Sequence, residues 1–216
     1  MDWMRAVDAY CERTGPEYWA EPVNALTNAA FLVAALVMWR RTPGLPLARV
    51  LCVILFVIGV GSYLFHTHAQ VWAGVADSMP IALYILTYIY AVNLHVWRWR
   101  GWIAALGALA FIPYAVVVGQ GFAALPFFEV SAGYWPVPLL IGIYALLLRQ
   151  RAPRTSGGLA VGAGILVVSL TFRSVDATLC AAVPLGTHFM WHLLNALMLG
   201  WMIEVYRRHM IRTGRV

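Results

Sequence analysis

The stretch GTHFMWHLLNALMLG at residues 186–200 is an apolar run that contains two histidines. Its composition is that of a membrane helix, and on a helix His188 and His192 lie one turn apart on the same face. Asn195 continues this stripe. Polar side chains are costly in hydrocarbon, so such residues usually face a functional interior. The two imidazoles can share one metal ion, or they can be buried and hydrogen-bonded to neighbouring helices.

The composition of the whole chain is that of a membrane protein. The 216 residues are 62% hydrophobic and 11% charged, with a mean hydropathy of +0.75, whereas soluble proteins are about 25% charged. The net charge of +6 does not indicate nucleic-acid binding, because the arginines lie in short segments between apolar runs, where they orient membrane helices. No polar stretch is long enough for a separate soluble domain. We therefore expect one integral-membrane domain over residues 1–216 and no nucleic-acid partner.

Seven apolar runs follow a polar outer segment at residues 1–21, and each is near the ~20 residues that cross ~30 Å of hydrocarbon. We place the helices at residues 22–39, 48–66, 77–96, 101–119, 129–148, 157–173 and 186–206. Pro136 and Pro138 interrupt the fifth run, which membrane helices tolerate when neighbours satisfy the freed carbonyls. The sequence predicts an all-α fold, a seven-transmembrane helix bundle.

The arginines orient this bundle. With seven spans, twelve of them fall on one side, which the positive-inside rule assigns to the cytoplasm; they are Arg40, Arg41, Arg49, Arg98, Arg100, Arg149, Arg151, Arg154, Arg207, Arg208, Arg212 and Arg215. Only Arg5, Arg13 and Arg173 remain for the other side, and we expect Arg173 to pair with Asp176 three residues later. The N-terminus is thus predicted outside and the C-terminus cytoplasmic. In a bacterium this is the inner membrane, with the histidines toward the periplasm.

This topology brings polar residues from three helices to one depth. His188 and His192 lie in the outer third of the last helix, and His66 lies at the outer end of the second helix, with Ser62 one turn below it. Asp77 stands at the outer start of the third helix. Each residue has an ordinary alternative, since histidines snorkel, aspartate caps helices and serine bonds to its own helix. The shared depth favours a common site. The remaining histidines are expected outside it: His68, His95 and His209.

Three histidines without a thiolate suit Zn²⁺ with a fourth position for water. Zinc lowers the pKa of bound water and polarises carbonyl groups. The residues between His188 and His192 are Phe-Met-Trp, so the glutamate base of an H-E-x-x-H protease is absent. Asp77 is then the expected base, and Ser62 the expected donor to the water or to an oxyanion. These residues predict metal-assisted hydrolysis of a carbonyl compound that arrives from the outer leaflet.

The spacing of Ser62-x-x-x-His66, of Asp77 eleven residues later, and of His188-x-x-x-His192 resembles the alkaline ceramidase family. That family belongs to a superfamily of seven-helix zinc proteins that includes the adiponectin receptors. Three further segments are also similar to it: Asp8–Glu12, Trp19–Asn28 and Phe172–Cys180. The resemblance spans nearly the whole chain. It implies a zinc amidase that cleaves the N-acyl bond of ceramide to give a sphingoid base and a fatty acid.

The resemblance also implies roles for single residues. The implied zinc ligands are His66, His188 and His192. Asp77 would activate the water, and Ser62 would support the oxyanion. A disulfide would join Cys11 to Cys180, and both cysteines fall on the outer side by the charge distribution, where disulfides persist.

Calcium is a further implication, because eukaryotic members of the family bind it through acids of the N-terminal segment. Glu12 and Glu21 match these acids best, followed by Asp8, and carboxylates are suitable calcium ligands. The chain departs from the pattern, since Tyr10 stands where the family often has tryptophan and the spacing from Glu12 to Glu21 is shortened. The same acids are equally suited to capping the first helix.

Two other classes of function stay open. One is a seven-helix zinc receptor or sensor with slow or no hydrolysis; the absence of any sizeable cytoplasmic domain speaks mildly against signalling. The other is a haem-binding electron carrier with histidine axial ligands. A Soret band in the purified protein would identify the haem, whereas colourless protein with stoichiometric zinc would exclude it.

Overall fold

Proline marks the start of several helices, because its fixed φ suits the first turn and no partner is needed there for its missing N–H. The structure is a computed structural model that describes residues 2–215. Within them the helices are α1 Pro22–Thr27, α2 Ala29–Arg41, α3 Pro46–His68, α4 Val71–His95, α5 Gly101–Leu109, α6 Phe111–Ala123, α7 Pro126–Glu129, α8 Pro136–Leu148, α9 Pro153–Leu179 and α10 His188–Arg212. The fold is all-helical, and α1, α3, α8 and α9 each begin with proline.

Five helical segments within residues 2–215 are long and apolar enough to cross a membrane. They are Pro22–Arg41, Pro46–His68, Val71–His95, Gly101–Ala123 and Pro153–Leu179. Helix α10 is long enough, at 25 residues, but its histidines and the glutamate and arginines near its C-terminal end make it less apolar. The structure therefore supports a membrane protein with at least these five candidate spans.

The fifth predicted run, residues 129–148, does not form one helix. The short helix α7 ends at Glu129, turns follow, and α8 begins at Pro136 with Pro138 in its first turn. Proline is tolerated in the first turn of a helix but not in its interior, so the helix starts at this pair instead of passing through it. At 1.5 Å per residue the 13 residues of α8 extend about 20 Å, short of the ~30 Å of hydrocarbon.

Helices α3 and α4 form a tight antiparallel pair, and α4 begins at Val71, six residues before the predicted start. The chain reverses at Ala69, which has a positive φ of 46°. At Gly61 a Cβ would collide with the backbone of Ala76, so the helices cross closely at that level. Asp77 consequently lies inside α4, whose N-cap is Gln70, and the alternative role of Asp77 as a helix cap is wrong.

The N-terminal segment is tied to the α3–α4 turn. The Val7 amide donates to the Ala69 carbonyl at 2.7 Å, and the Val71 amide donates to the Arg5 carbonyl at 3.1 Å. Ala6 and Gln70 form an isolated β-bridge. These bonds lay the segment across the end of the bundle at which α10 begins, above the three histidines predicted to meet.

Candidate metal centre

Three histidines from two helices meet at this end of the bundle. His66 belongs to the last turn of α3, and His188 and His192 to the first two turns of α10. One ring nitrogen from each residue lies within 4.8 Å of those of the other two. The side chains are 1%, 1% and 0% exposed, respectively. Among residues 2–215 this is the one group of three or more histidine, cysteine or acidic side chains that lie close enough to share a metal ion.

The outward nitrogens of two of these rings are held by other side chains. His66 Nδ1 donates to the Glu21 carboxylate at 2.6 Å, and His192 Nδ1 lies 2.9 Å from the Thr27 hydroxyl. Such partners fix the tautomer of a metal-binding histidine and turn its other nitrogen toward the metal. His192 Nε2 and His188 Nδ1 are buried without a hydrogen-bond partner. Each unpaired group costs about 1–3 kcal/mol, and a divalent cation would satisfy both, so the donor set fits Zn²⁺.

Glu21 also pairs with Arg13, whose Nε lies 2.5 Å from Oε1. Burial raises the pKa of Glu21, but the hydrogen bonds from His66 and Arg13 outweigh it and hold the pKa below its usual value. Glu21 is therefore a carboxylate at neutral pH. Its charge favours the Nδ1–H tautomer of His66, which leaves Nε2 free for the metal.

Ser62 and Asp77 lie beside the triad. Ser62 is buried one turn before His66, at the crossing where Gly61 meets the Ala76–Asp77 backbone. The Asp77 side chain lies near Ser62, His66 and Arg173, within the range of their charge and polarity. The structure thus brings all five predicted zinc and catalytic residues together, with Asp77 next to the three imidazoles and not among them.

Tyr10 and Arg173 complete the surroundings; sequence reasoning did not place Tyr10 here, and for Arg173 it favoured a pair with Asp176 over a role in gripping the substrate's head group. The Tyr10 ring stacks on His188, with centroids 3.6 Å apart and planes at 20°. Burial raises the pKa of the Tyr10 hydroxyl to about 12, although Arg173 beside it acts in the opposite direction. Arg173 donates to the Val130 carbonyl and the Ser131 hydroxyl. Its predicted pairing with Asp176 is therefore wrong.

Asp176 instead organises the start of α10. Its carboxylate accepts hydrogen bonds from the backbone amides of Thr187 and His188 at 2.6 and 2.9 Å, and from that of Cys11 at 3.0 Å. A negative charge is favourable at a helix N-terminus, where the amides are unpaired. Cys11 and Cys180 form a disulfide with Cα atoms 5.3 Å apart, as the resemblance implied.

The acids considered for calcium are separated and engaged elsewhere. Both Glu12 oxygens accept backbone amides, from Val23 at 2.7 Å and Asn24 at 2.8 Å, so Glu12 caps α1. Glu21 serves His66 as described, and Asp8 is exposed. The described part of the chain gives the calcium prediction no support.

The other histidines lie outside the site, as predicted. His68 is exposed at the end of α3, His95 bonds to Tyr206 and His209 bonds to Thr155.

An apolar cavity lies between α4, α8, α9 and α10. On α10 it is lined by Trp191, which stands between His188 and His192 in the sequence, by Asn195 one turn later and by Met198 two turns later. The remaining wall is almost entirely apolar and includes Ile81, Ile141 and Leu166. A lining of this kind suits an apolar ligand.

Comparison with known families agrees with this geometry. A family model described as Ceramidase matches residues 7–213, nearly the whole chain. No curated protein matches at the significance required of a relative. The matched range includes the histidine triad, Asp77, both cysteines and the cavity.

Proposed function

The chain belongs to the ceramidase family, and from this premise we propose that it is a zinc-dependent intramembrane amidase. Its substrates would be ceramide-type lipids, cleaved at the N-acyl bond to a sphingoid base and a fatty acid. The observation that carries the proposal is the buried triad His66, His188 and His192 with two unpaired ring nitrogens, beside the Asp77 carboxylate.

When bound by the three histidines, zinc would supply a Lewis acid and a water of lowered pKa. Glu21 and Thr27 hold two of the imidazoles in the tautomer that presents Nε2. In the proposed mechanism Asp77 would take a proton from the attacking water and return it to the leaving amine nitrogen. The Ser62 hydroxyl would donate a hydrogen bond to the oxyanion. In this mechanism Asp77 would transfer the proton, and Ser62 would stabilise the negative charge that develops on the carbonyl oxygen.

The apolar cavity supports a lipid substrate. Its lining would receive one hydrocarbon chain while the amide carbonyl rests at the histidine layer. Among the lining residues on α10, Trp191 is nearest in sequence to His188 and His192, and Met198 lies further along the helix, so the chain would extend along α10 away from the histidines. Because the chain would come from the bilayer and not from water, its fit to the cavity would select its length, and the hydrophobic effect would not.

We place this site in a seven-span bundle with the N-terminus outside and the C-terminus in the cytoplasm. The five candidate spans are joined in this arrangement by α8 and α10. The short α8 fits if α7 and the turns before it occupy the outer membrane interface. The arginine distribution supports the orientation, since twelve of the fifteen arginines then face the cytoplasm. In a bacterium the site would face the periplasmic side of the inner membrane.

Metal analysis combined with fatty-acid release from a panel of N-acyl lipids tests the proposal. We expect one zinc per chain and release from ceramides that zinc chelation abolishes. A protein that binds zinc and lipid without turnover would favour the receptor alternative. A Soret band would favour the haem alternative.

A further inference from the structure

The guanidinium of Arg13 is buried in the N-terminal segment and surrounded by oxygen atoms. Its Nε pairs with Glu21 Oε1, one terminal nitrogen donates to the Gly15 carbonyl at 3.0 Å, and the other donates to the His66 carbonyl at 3.0 Å. The side chains of Arg13 and Glu21 are 5% and 3% exposed. The carboxylate and the two carbonyls around this guanidinium are oxygen donors of the type that calcium takes from proteins.

We propose that Arg13 is a permanent internal cation that occupies the position a calcium ion would take, and that the protein neither binds nor needs calcium there. The three oxygens are already satisfied by a positive charge that cannot dissociate. Calcium needs 6–8 oxygen ligands. The neighbouring acids do not supply the missing ligands: Glu12 is engaged by two backbone amides, and the Asp8 side chain lies exposed instead of being buried with Glu21. A second cation would also be repelled by the guanidinium.

Arg13 has a positioning role as well, and this part rests on the proposed zinc site. It holds Glu21 Oε1 while Glu21 Oε2 accepts from His66 Nδ1, and it also binds the His66 backbone carbonyl. The guanidinium therefore fixes the partner of one zinc ligand and the end of the helix that carries the ligand. Partners of this kind contribute about 10–100-fold to metal affinity.

The first test is calcium binding to the purified full-length protein, which needs no variant and no substrate. We expect no binding in a titration to 1 mM CaCl2 and the same thermal unfolding midpoint in CaCl2 and in EGTA. A Kd below 1 mM, or a midpoint that rises with calcium, overturns the proposal.

The second test is zinc retention against a competing chelator in Arg13→Asn, followed by metal analysis. We expect about a 10–100-fold loss of zinc affinity. Arg207→Asn is the matched control, because it removes another arginine–glutamate pair, with Glu204, at the opposite end of the bundle. It should change zinc affinity less than twofold. Unchanged zinc affinity in Arg13→Asn refutes the positioning role.

Arg13→Lys covers the case in which Arg13→Asn does not fold. It keeps the charge but cannot donate to three oxygens with one planar fork. We expect it to stay calcium-independent and to bind zinc more weakly than the unmodified protein; calcium dependence or full zinc affinity counts against the proposal. Because neither test measures hydrolysis, both remain decisive if the protein proves inactive on ceramides.

Discussion

The Thr27 hydroxyl holds one zinc ligand, and replacing it with a methyl group tests the site without touching a ligand. Thr27 Oγ1 lies 2.8 Å from the Val23 carbonyl and 2.9 Å from His192 Nδ1. The single hydroxyl proton bonds to a backbone carbonyl, so His192 Nδ1–H is the donor and Nε2 keeps its lone pair for the metal. Thr27→Val preserves the shape of the side chain and leaves the buried Nδ1–H without an acceptor.

The expected loss in Thr27→Val follows from that contact. In zinc-free Thr27→Val the His192 proton can move to Nε2, whereas zinc binding through Nε2 requires it on Nδ1, where no acceptor remains. An unpaired buried donor costs about 1–3 kcal/mol, and a tenfold change in affinity corresponds to about 1.4 kcal/mol, so zinc affinity should fall by up to about 5–150-fold. The assay is competition with a chelator of known affinity, read by metal analysis of the desalted protein. Thr171→Val is the control, since its hydroxyl bonds only to its own helix and is exposed. Equal zinc affinity in Thr27→Val and Thr171→Val would refute the assigned tautomer.

Three further predictions concern the site and its covalent frame. Asp77→Asn should retain one zinc per chain while fatty-acid release falls at least about 100-fold, because the base is lost; full release would remove Asp77 from the mechanism. His188→Ala and His192→Ala should each lose zinc and activity together in parallel metal and product assays, and an active zinc-free variant would contradict the metal proposal. Cys11→Ser opens a loop whose ends, Cys11 and Cys180, lie 169 residues apart, which is worth up to about 5 kcal/mol if the unfolded chain is free. The thermal unfolding midpoint of Cys11→Ser should be lower than that of the unmodified protein. If neither this substitution nor reduction of the unmodified protein lowers the midpoint, the disulfide does not stabilise the fold.

The histidine triad could be predicted from the sequence because its placement depends on local rules. The four-residue spacing of His188 and His192 fixes their common face, and apolar length and arginine position fix the depth of His66. Helix bounds were less predictable. Helix α4 starts at Val71, six residues before the predicted position. The turn before it is formed by Ala69, at a positive φ, and contains neither proline nor glycine, so the composition does not reveal it.

The N-terminal segment was the part that sequence patterns could not place. It has no helical or strand period, and its important contacts join residues far apart in the chain. Tyr10 stacks on His188, and Arg13 bonds to the His66 carbonyl. Arg173 and Asp176 show the same difficulty, since their three-residue spacing predicted a pair whereas each is used by a different distant element. An ion pair between exposed side chains contributes about 0–1 kcal/mol, so better-buried partners easily replace it.

The disulfide and the start of α10 are coupled through one carboxylate. The Asp176 carboxylate accepts hydrogen bonds from the amide of Cys11, a disulfide residue, and from the amide of His188, a proposed metal ligand. At Gly186, whose φ is +69°, a Cβ would collide with the Asp176 carboxylate and with Cys11, so the chain can enter α10 here only without a side chain. One carboxylate thus binds the amides at the start of α10 and also the amide of Cys11, whose disulfide anchors the N-terminal segment. The position of His188 in the triad therefore depends on Asp176 and Gly186, neither of which belongs to the proposed metal site.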